Sequence, residues 1–470
     1  MNFYFDAAKV LDHLDAKKGS IKGLIASIEE KDRKRSTALI IETLKYRSFL
    51  SDVINASKMM KDERKLTSFN LALLLVHDLL LGKGIQAGDG PIKQAILRHK
   101  TRLNGEFQKL KIKRGALSNS QLAQSGDERA ASIPRYVRVN TSLWSTEDAI
   151  QYYLSRGFTL SNPMDSSKGF TQDAHIPDLL AFAPSTSFAD DHAYLGGKVI
   201  LQDKASCFPA VVLAPPPTEN SIVIDATAAP GNKTSHLSAL MKNKGKLYAF
   251  ERDRKRYGTL QKMLATAKCQ NVIPTNADFL TVNPEDDKYR STTHILLDPS
   301  CSGSGIVNRL DHLIETDEEE DVTNDRLAKL AAFQLKMIQH AMKFPKVQKI
   351  VYSTCSIHAT ENEHVVRSAL DSKEANAGPF SLAPRDQVIP TWSRRGLPEE
   401  MNCEADADSV IRCSPDGDCT NGFFVSCFIR GNKLHESNLK RKLIGEDQQP
   451  EKEKKVKSKK RKPNQTNTTS

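Results

Sequence analysis

The stretch VIDATAAPGNKTSHL (residues 223–237) decides the fold, because it has the pattern of a strand, a tight turn and the start of a helix. The apolar residues lead to Asp225, and the small residues and Gly231 that follow let a ligand approach the backbone. Lys233 and Thr234 then open the helix. The turn matches neither G-x-G-x-x-G nor G-x-x-x-x-G-K-[ST], so dinucleotides and ATP are disfavoured and a nucleoside without phosphates fits better.

Strand-like and helix-like segments alternate from Ser221 to Arg430. The strand-like segments are SIVIDAT, KLYAFE, NVIPTNAD, HILLDPS, KIVYSTC and GFFVSCFIR, and segments with helical periodicity separate most of them. This alternation predicts an α/β fold with a doubly wound, mostly parallel sheet. In such a sheet ligands bind outside the carboxyl ends of the strands.

Acidic residues follow the first three of these strands. Glu251 is placed where a carboxylate can accept hydrogen bonds from both ribose hydroxyls, and Asp278 could accept one from an adenine amino group. Each acid alone could equally cap a helix or be solvated. Together with Asp225, they form a series at successive strand ends, which predicts a nucleoside-type cofactor.

The fourth and fifth strands each deliver a cysteine. Asp298 and Cys301 lie in the glycine-rich segment DPSCSGSG (residues 298–305), and Cys355 ends KIVYSTC. We expect these two strands to be neighbours, which would bring both thiols to one side of the pocket and indicates covalent chemistry. A pair of packing cysteines is the alternative, and a metal site is disfavoured because neither cysteine has a second ligand at metal-binding spacing.

The remaining six cysteines are interpreted as structural: Cys207, Cys269, Cys403, Cys413, Cys419 and Cys427. The chain shows no secretory signal and no CxxC pair, which predicts a reducing compartment with free cysteines.

We also expect no membrane segment, because the longest apolar stretch, around residues 71–81, is interrupted by His77 and Asp78.

Pattern and composition divide the 470 residues into five parts. Residues 1–115 predict a basic helical domain and residues 116–133 a linker. Residues 134–205 combine the strands RYVRVN and KVILQD with the helix-like TEDAIQYYLSRG, which predicts a small α+β unit. Residues 206–432 hold the α/β pattern, and residues 433–470 predict a disordered basic tail.

Basic residues concentrate at the two ends of the chain. Residues 1–120 carry 23 Lys and Arg against 13 Asp and Glu, and residues 440–462 carry 11 against 4, whereas the whole chain has a net charge of +11. The ends are therefore expected to contact a polyanion, with solubilising charge as the alternative. The best candidate for a phosphate-contacting face comprises Lys100, Arg102, Lys109, Lys111, Lys113 and Arg114.

Three motifs carry a resemblance to a known family. DATAAPGNKT (residues 225–234), DPSCSGSG and YSTCSIHATENEHVV (residues 352–366) resemble the signature motifs of the Sun-domain RNA (cytosine-5) methyltransferases. RYVRVN, LQDKAS and GFFVSCFIR resemble motifs that flank them, so the resemblance covers about residues 134–430. The basic helical N-terminus and the order of residues in DPSCSGSG most resemble the branch that modifies large-subunit ribosomal RNA.

The resemblance implies a class I methyltransferase-like sheet, an RNA-binding role for both preceding domains, and S-adenosylmethionine as cofactor. Cys355 would add to carbon 6 of cytosine as a thiolate, and Cys301 would assist product release. Asp298 would hold the amidine edge of the base, and Lys233 would orient the base or polarise the site. The implied cofactor-binding residues are Thr227, Ala228, Ala229, Pro230, Gly231, Asn232, Lys233, Glu251, Arg256, Asp278 and Asp298.

The motifs depart from the family pattern at two places. The usual turn is C-A-A-P-G-G-K, whereas Thr227 and Asn232 replace its cysteine and second glycine. We expect Asn232 to be tolerated because asparagine adopts positive φ more readily than most residues. The usual D-x-P-C becomes D-P-S-C, which keeps the interval from Asp298 to Cys301.

Three functions follow from these observations. The first is an RNA cytosine-5 methyltransferase acting on large-subunit rRNA or pre-ribosomal particles in the nucleus and nucleolus. The second is a catalytically inactive RNA-binding ribosome-assembly factor. The third, a methyltransferase for an exocyclic amino group, is disfavoured because its D-P-P-[YF] loop needs an aromatic residue at Cys301 and has no use for Cys355. The oligomeric state is left open.

Overall fold

The computed structural model describes residues 1–431 apart from residues 17, 20, 64–65, 125–127 and 308–319. The predicted disordered tail, residues 433–470, lies outside the described residues.

The N-terminal part is a helical domain with one apolar core. Its helices are α1 (Asn2–Asp15), α2 (Ile21–Ile25), α3 (Glu30–Lys45), α4 (Arg47–Ser57), α5 (Met59–Asp62), α6 (Phe69–Leu80), α7 (Pro91–Arg98) and α8 (Lys100–Lys113). The central helix is α6, which packs against α1, α3 and α4 and begins where the Ser68 side chain accepts a hydrogen bond from Leu71 N. Leu122, within the predicted linker, is buried against this core.

A small α+β unit follows. It contains β1 (Arg135–Val139), α9 (Thr146–Ser155), β2 (Thr159–Leu160), β3 (Gly169–Gln172), β4 (Leu179–Phe182), α10 (His192–Leu195) and β5 (Val199–Leu201). The strands form one sheet in the order β2-β3-β4-β1-β5, with α9 contributing Tyr153 to its aromatic core. The rings of Tyr153 and Phe182 lie 4.8 Å apart, edge to face, which is a favourable aromatic geometry.

The largest part of the chain contains a second sheet of eight strands. Its elements are α11 (Lys204–Leu213), β6 (Ile222–Asp225), α12 (Asn232–Leu240), β7 (Lys246–Phe250), α13 (Arg254–Thr266), β8 (Val272–Thr275), β9 (His294–Leu297), α14 (Glu320–Met342), β10 (Lys349–Thr354), α15 (Glu363–Leu370), α16 (Lys373–Ala377), β11 (Phe380–Leu382), α17 (Glu404–Asp408), β12 (Ile411–Cys413) and β13 (Phe423–Arg430).

Strand order makes this sheet doubly wound. The order is β11-β13-β10-β9-β6-β7-β8, with β12 also paired to β13. The five strands β6 to β10 are parallel, and β13 is antiparallel to β10. From β6 the chain winds outward to β7 and β8, and then returns to the other side of β6 for β9 and β10. The predicted α/β fold with a mostly parallel sheet is therefore confirmed, and a crevice opens between β6 and β9.

Both faces of the large sheet are covered, as its apolar strands require. Val223, Leu247 and Leu296 face a core that includes α11 and α12, while Ile224 and Ile295 face a core that includes α14 and α15. Successive strand residues thus point to opposite faces.

Buried polar side chains join the small unit to the large sheet. Arg138 of β1 is fully buried; its Nε donates to Gln202 Oε1 at 2.8 Å and its Nη2 to Ser235 Oγ on α12 at 2.8 Å. Asn140 Nδ2 donates to the carbonyl oxygens of Gly197 and Ala267, both at 2.9 Å. Burial lowers the pKa of Arg138 to about 10.

None of the helices within the described ranges is long and apolar enough to cross a lipid bilayer.

Replacing Asn140 by alanine should lower the free energy of unfolding by about 1–3 kcal/mol, because two buried carbonyl groups lose their donor. The matched control is N162A, which removes an exposed amide and should change stability by less than about 0.5 kcal/mol. Urea unfolding followed by the fluorescence of Trp144 and Trp392 measures both. Equal effects of the two substitutions would contradict the buried bridge.

Candidate active site

A cavity of about 500 Å³ lies at the carboxyl ends of β6, β7, β9 and β10, where the crevice opens. It brings together residues that are distant in sequence because parallel strands end at the same edge of a sheet. Predicted site residues that line it are Thr227, Glu251, Arg256, Asp278, Asp298, Cys301 and Cys355.

The acids of the second and third strands form one end of the cavity. Glu251 is buried; its Oε1 accepts from Asp253 N at 2.8 Å, and its Oε2 lies 3.6 Å from Arg256 Nη1. Arg256 Nη2 also donates to Ala229 O at 2.7 Å, which ties the turn after β6 to α13. One oxygen of Asp278 caps a short 3₁₀ turn by accepting from Leu280 N at 3.0 Å.

The rest of the predicted cofactor loop lies behind the cavity wall. Ala228, Ala229, Pro230, Gly231, Asn232 and Lys233 do not line the cavity. Asp225 does not line it either: its carboxylate is buried and accepts from Thr234 Oγ1 at 2.7 Å, which fastens the loop. Burial raises the pKa of Asp225 to about 6, although the Thr234 hydrogen bond opposes this.

The expectation that Asn232 needs a positive φ is wrong. The left-handed backbone falls on Gly231, with φ of +117°, and a side chain there would collide with Met263 of α13. Asn232 is the first residue of α12 and is helical. Asparagine can therefore stand in place of the family's second glycine without strain.

Asp298 is held by three hydrogen bonds, one each with α12, β10 and the turn after β6. Its Oδ2 accepts from Lys233 Nζ of α12 at 2.7 Å, and its Oδ1 accepts from Ser353 Oγ of β10 at 2.7 Å. Its backbone N donates to Thr227 Oγ1 at 2.9 Å, so threonine has a structural use where the family usually has cysteine. Burial lowers the pKa of Lys233, but the charge and hydrogen bond of Asp298 outweigh burial and the net pKa is raised.

The two thiols are in direct contact. Cys301 Sγ and Cys355 Sγ lie 3.0 Å apart, and both are partly buried. The hydrogen bond from Cys301 lowers the pKa of Cys355, against burial and the charge of Asp298, and Lys233 assists. The same hydrogen bond raises the pKa of Cys301 far above the usual thiol value, and burial adds to this. These opposite shifts favour Cys355 as the thiolate of the pair and Cys301 as the proton carrier.

Close backbone packing seats the loop that carries Cys301. Gly305 N donates to Cys355 O at 2.9 Å, and Gly305 O accepts from Gly422 N at 2.8 Å. A β-carbon on Gly305 would lie 2.2 Å from Gly422 O, so only glycine fits. The glycine-rich sequence DPSCSGSG thus allows the loop to pack closely against the end of β10.

Several site residues escaped the sequence analysis. Phe333 and Met337 of α14 line the cavity, and Ser353 supports Asp298. For Phe333 and Met337, the sequence offers no signal of a site role beyond apolar periodicity. For Ser353 it offers one: Ser353 lies two residues before Cys355, and alternate residues of a strand point to the same face.

Burial supports the structural interpretation of Cys207, Cys413 and Cys427. Cys269 is partly buried and Cys403 and Cys419 are exposed, so a structural role for these three stays a prediction. Within the described part of the chain, no three His, Cys, Asp or Glu side chains are grouped so as to hold a metal ion.

Fold and site together define a class I methyltransferase with a two-cysteine centre. Three family models match the chain: 16S rRNA methyltransferase RsmB/F over residues 210–429, the NSUN5 N-terminal domain over residues 34–123, and the NSUN5 ferredoxin-like domain over residues 133–202.

Two curated relatives match nearly the whole chain. The 25S rRNA (cytosine-C(5))-methyltransferase rcm1 of Schizosaccharomyces pombe is 44% identical, over 93% of this chain and 93% of its own. A 28S rRNA (cytosine-C(5))-methyltransferase of Mus musculus is 42% identical, over 92% and 91%. A solved methyltransferase homolog from Pyrococcus horikoshii shares the fold, with a TM-score of 0.52 and 23% identity over 80% of this chain and 99% of its own.

The chain belongs to the Sun-domain RNA (cytosine-5) methyltransferase family, in the branch of rcm1 and NSUN5. It is an RNA (cytosine-5) methyltransferase, and its methyl donor is S-adenosylmethionine. The cavity fits this donor chemically, because a buried carboxylate suits ribose hydroxyls and the aromatic Phe250 and Phe333 add apolar wall.

Lys233→Met should shift the alkylation of Cys355 to higher pH. Lys233 lowers the pKa of Cys355, so its loss leaves the opposing effects of burial and Asp298. Because the thiolate is the reactive form, the variant should react with iodoacetamide more slowly at neutral pH and equally fast well above the pKa. Mass spectrometry of the Cys355 peptide across pH measures this. Unchanged profiles would show that Lys233 does not set the state of the thiol.

Proposed function

We propose that this protein methylates carbon 5 of a cytosine in large-subunit rRNA through a covalent Cys355 adduct, with Cys301 assisting release. The observation that carries the proposal is the 3.0 Å contact between the two thiols beside Asp298 at the cavity wall. The large-subunit substrate is supported by two relatives that match nearly the whole chain and are named as 25S and 28S rRNA (cytosine-C(5))-methyltransferases.

The first step is addition of the Cys355 thiolate to carbon 6 of the base. A new S–C6 bond forms, and the 5,6 double-bond electrons become available at carbon 5 as an enamine. The lowered pKa of Cys355 supports this role because it favours the thiolate, which is the nucleophilic form. S-adenosylmethionine, when bound, supplies the methyl group that carbon 5 takes up.

Asp298 orients the base, and Lys233 supports Asp298 and the thiol. Asp298 Oδ1 and Oδ2 are each held by one donor, Ser353 and Lys233, which leaves further acceptor capacity on both oxygens for the amidine edge of cytosine. Lys233 does not line the cavity, so we assign it to fixing Asp298 and tuning Cys355. In this proposal, the backbone of the loop makes the cofactor contacts predicted for residues 228–232.

Release requires loss of the proton at carbon 5 and cleavage of the S–C6 bond. In the resting pair Cys301 carries a proton chiefly because of its hydrogen bond to Cys355. Once Cys355 is bonded to the base it is neutral, and the main cause of the raised pKa of Cys301 is removed. Cys301 can then lose its proton to solvent, and the resulting thiolate takes the carbon 5 proton while Cys355 leaves as a thiolate, which restores the starting pair.

RNA contact is assigned to the helical domain and the small α+β unit. Three of the six predicted phosphate-contacting residues form internal ion pairs: Arg102 with Asp62, Lys109 with Glu106 and Arg114 with Asp52. Such exposed pairs are worth about 0–1 kcal/mol, so phosphates can replace the carboxylates at little cost. Pre-ribosomal particles in the nucleolus are the proposed setting.

The covalent step is tested by trapping. Cys301→Ala protein, incubated with S-adenosylmethionine and large-subunit rRNA, should accumulate a protein–RNA adduct that survives denaturing gel electrophoresis, because addition proceeds and release does not. The Cys301→Ala/Cys355→Ala double variant is the matched control and should give none. Sequencing the attached RNA identifies the cytosine.

An absence of adduct on both rRNA and pre-ribosomal particles, with normal S-adenosylmethionine binding, would overturn the covalent proposal. It would favour the alternative of an inactive ribosome-assembly factor. Retention of both thiols, Asp298 and Lys233 in one contact network argues against that alternative.

Deletion of residues 440–470 should reduce nucleolar accumulation of a fluorescent fusion while leaving methyl transfer to naked RNA intact, because the basic residues lie in this segment and the site does not. Glutamine in place of the basic residues of 457–462 is the control for charge alone. Unaltered localisation would assign nucleolar targeting to another part of the chain.

A further inference from the structure

The loop that carries Cys301 rests on two buried polar side chains outside the cavity. Glu361, in a 3₁₀ turn after β10, and Gln334, on α14, are both fully shielded from solvent. Neither lines the cavity or touches the two thiols in the hydrogen-bond network. A fully buried carboxylate is costly unless it is hydrogen-bonded, so its partners indicate what it is there to hold.

These two side chains hold the peptide groups on both sides of Cys301. Glu361 Oε1 accepts from Ser302 N at 2.9 Å, and Gln334 Nε2 donates to Ser300 O at 3.0 Å. The first bond fixes the peptide plane after Cys301 and the second fixes the plane before it. Because the backbone has only two soft torsions per residue, fixing both planes fixes the direction of the Cα–Cβ bond of Cys301.

The two holding residues are themselves locked together. Gln334 Nε2 also donates to Glu361 Oε1 at 3.0 Å. Tyr352 Oη of β10 lies 2.5 Å from Glu361 O and 3.0 Å from Gln334 Oε1, so it can donate to either. All three side chains are buried, where such a network is rigid.

Cys355 and Asp298 depend on other supports. Cys355 is fixed by the end of β10 and by the hydrogen bond from Gly305 N to its carbonyl oxygen. Asp298 is fixed by Lys233, Ser353 and Thr227. Loss of Glu361 or Gln334 therefore releases Cys301 while the backbone of Cys355 and the carboxylate of Asp298 keep their own partners.

We propose that Glu361 and Gln334 form a clamp that positions Cys301 against Cys355 and so sets the rate of product release. They are positioning residues, since they act through Cys301 and not on the substrate. The inference rests on the proposed covalent mechanism and adds to it a control on one step, the release of methylated RNA.

The test uses Glu361→Ala and Gln334→Met in the full-length protein. Both remove hydrogen bonds to the Cys301 loop, and methionine keeps the volume of glutamine. Each variant should lose multiple turnover by roughly 10- to 100-fold, the scale of a misplaced catalytic group. Each should also accumulate the denaturation-resistant RNA adduct above the wild-type level, which damage to the fold would not produce, since a damaged enzyme forms less adduct.

Two controls separate positioning from other effects. Glu361→Gln keeps an acceptor oxygen for Ser302 N and should return release towards the wild-type rate. Ser353→Ala disturbs Asp298 from the other side of the site and should slow adduct formation without accumulation. Affinity for S-adenosylmethionine and thermal melting confirm that each variant is folded; if Glu361→Ala does not fold, Gln334→Met carries the test.

Cys301→Ala separates failure of the clamp from failure of the covalent mechanism. If it traps the adduct while folded Glu361→Ala or Gln334→Met turns over like wild type, or loses activity without adduct, the clamp is overturned and the covalent mechanism stands. If Ser353→Ala accumulates adduct equally, accumulation is a general response and the clamp is also overturned. If Cys301→Ala traps nothing, the release mechanism and the clamp fall together.

Discussion

The parallel pairing of β9 with β10 is the constraint on which the site depends. Its register places Leu297 beside Tyr352, so the chain leaves both strands at the same edge of the sheet. Asp298 then meets Ser353, and Cys301 meets Cys355 across 54 residues of sequence. On its other side β9 pairs with β6, which leads into the turn and helix that present Lys233. A shift of register by one residue would turn these side chains to the other face and separate the two thiols.

The contact between the thiols makes their two roles different. Two thiolates at 3.0 Å would repel each other in a partly buried site, so the pair retains a proton, and the opposite pKa shifts favour Cys301 as its carrier. In the proposed reaction this asymmetry lasts only while Cys355 is free. Bond formation to the base neutralises Cys355 and makes Cys301 available as a base. A single hydrogen bond therefore prepares the nucleophile and delays the release step until it is needed.

Much of the fold followed from periodicity, and the exceptions are short or non-local. The six strands from SIVIDAT to GFFVSCFIR and the helices between them carry strong apolar patterns. Among the elements that sequence analysis missed, β11, β12, α16 and α17 are three to five residues long and offer too little pattern to detect. In the site, Cys301, Cys355 and Asp298 were found because their residue types are chemically unusual at strand ends. Glu361 and Gln334 were missed because burial, which the sequence does not show, is what makes them informative.

The sequence by itself determined the class of sheet, the strand ends at which reactive groups emerge, and, through its motifs, the family. These are local properties, written in the spacing of apolar residues and in short glycine-rich turns. Only the tertiary structure decided that the two thiols are in direct contact, that Asp225 fastens a loop while Glu251 faces the cavity, and that Gly231 and not Asn232 takes the left-handed backbone. Proton positions and side-chain directions depend on distances between strands and helices, and those distances exist only once the chain has packed.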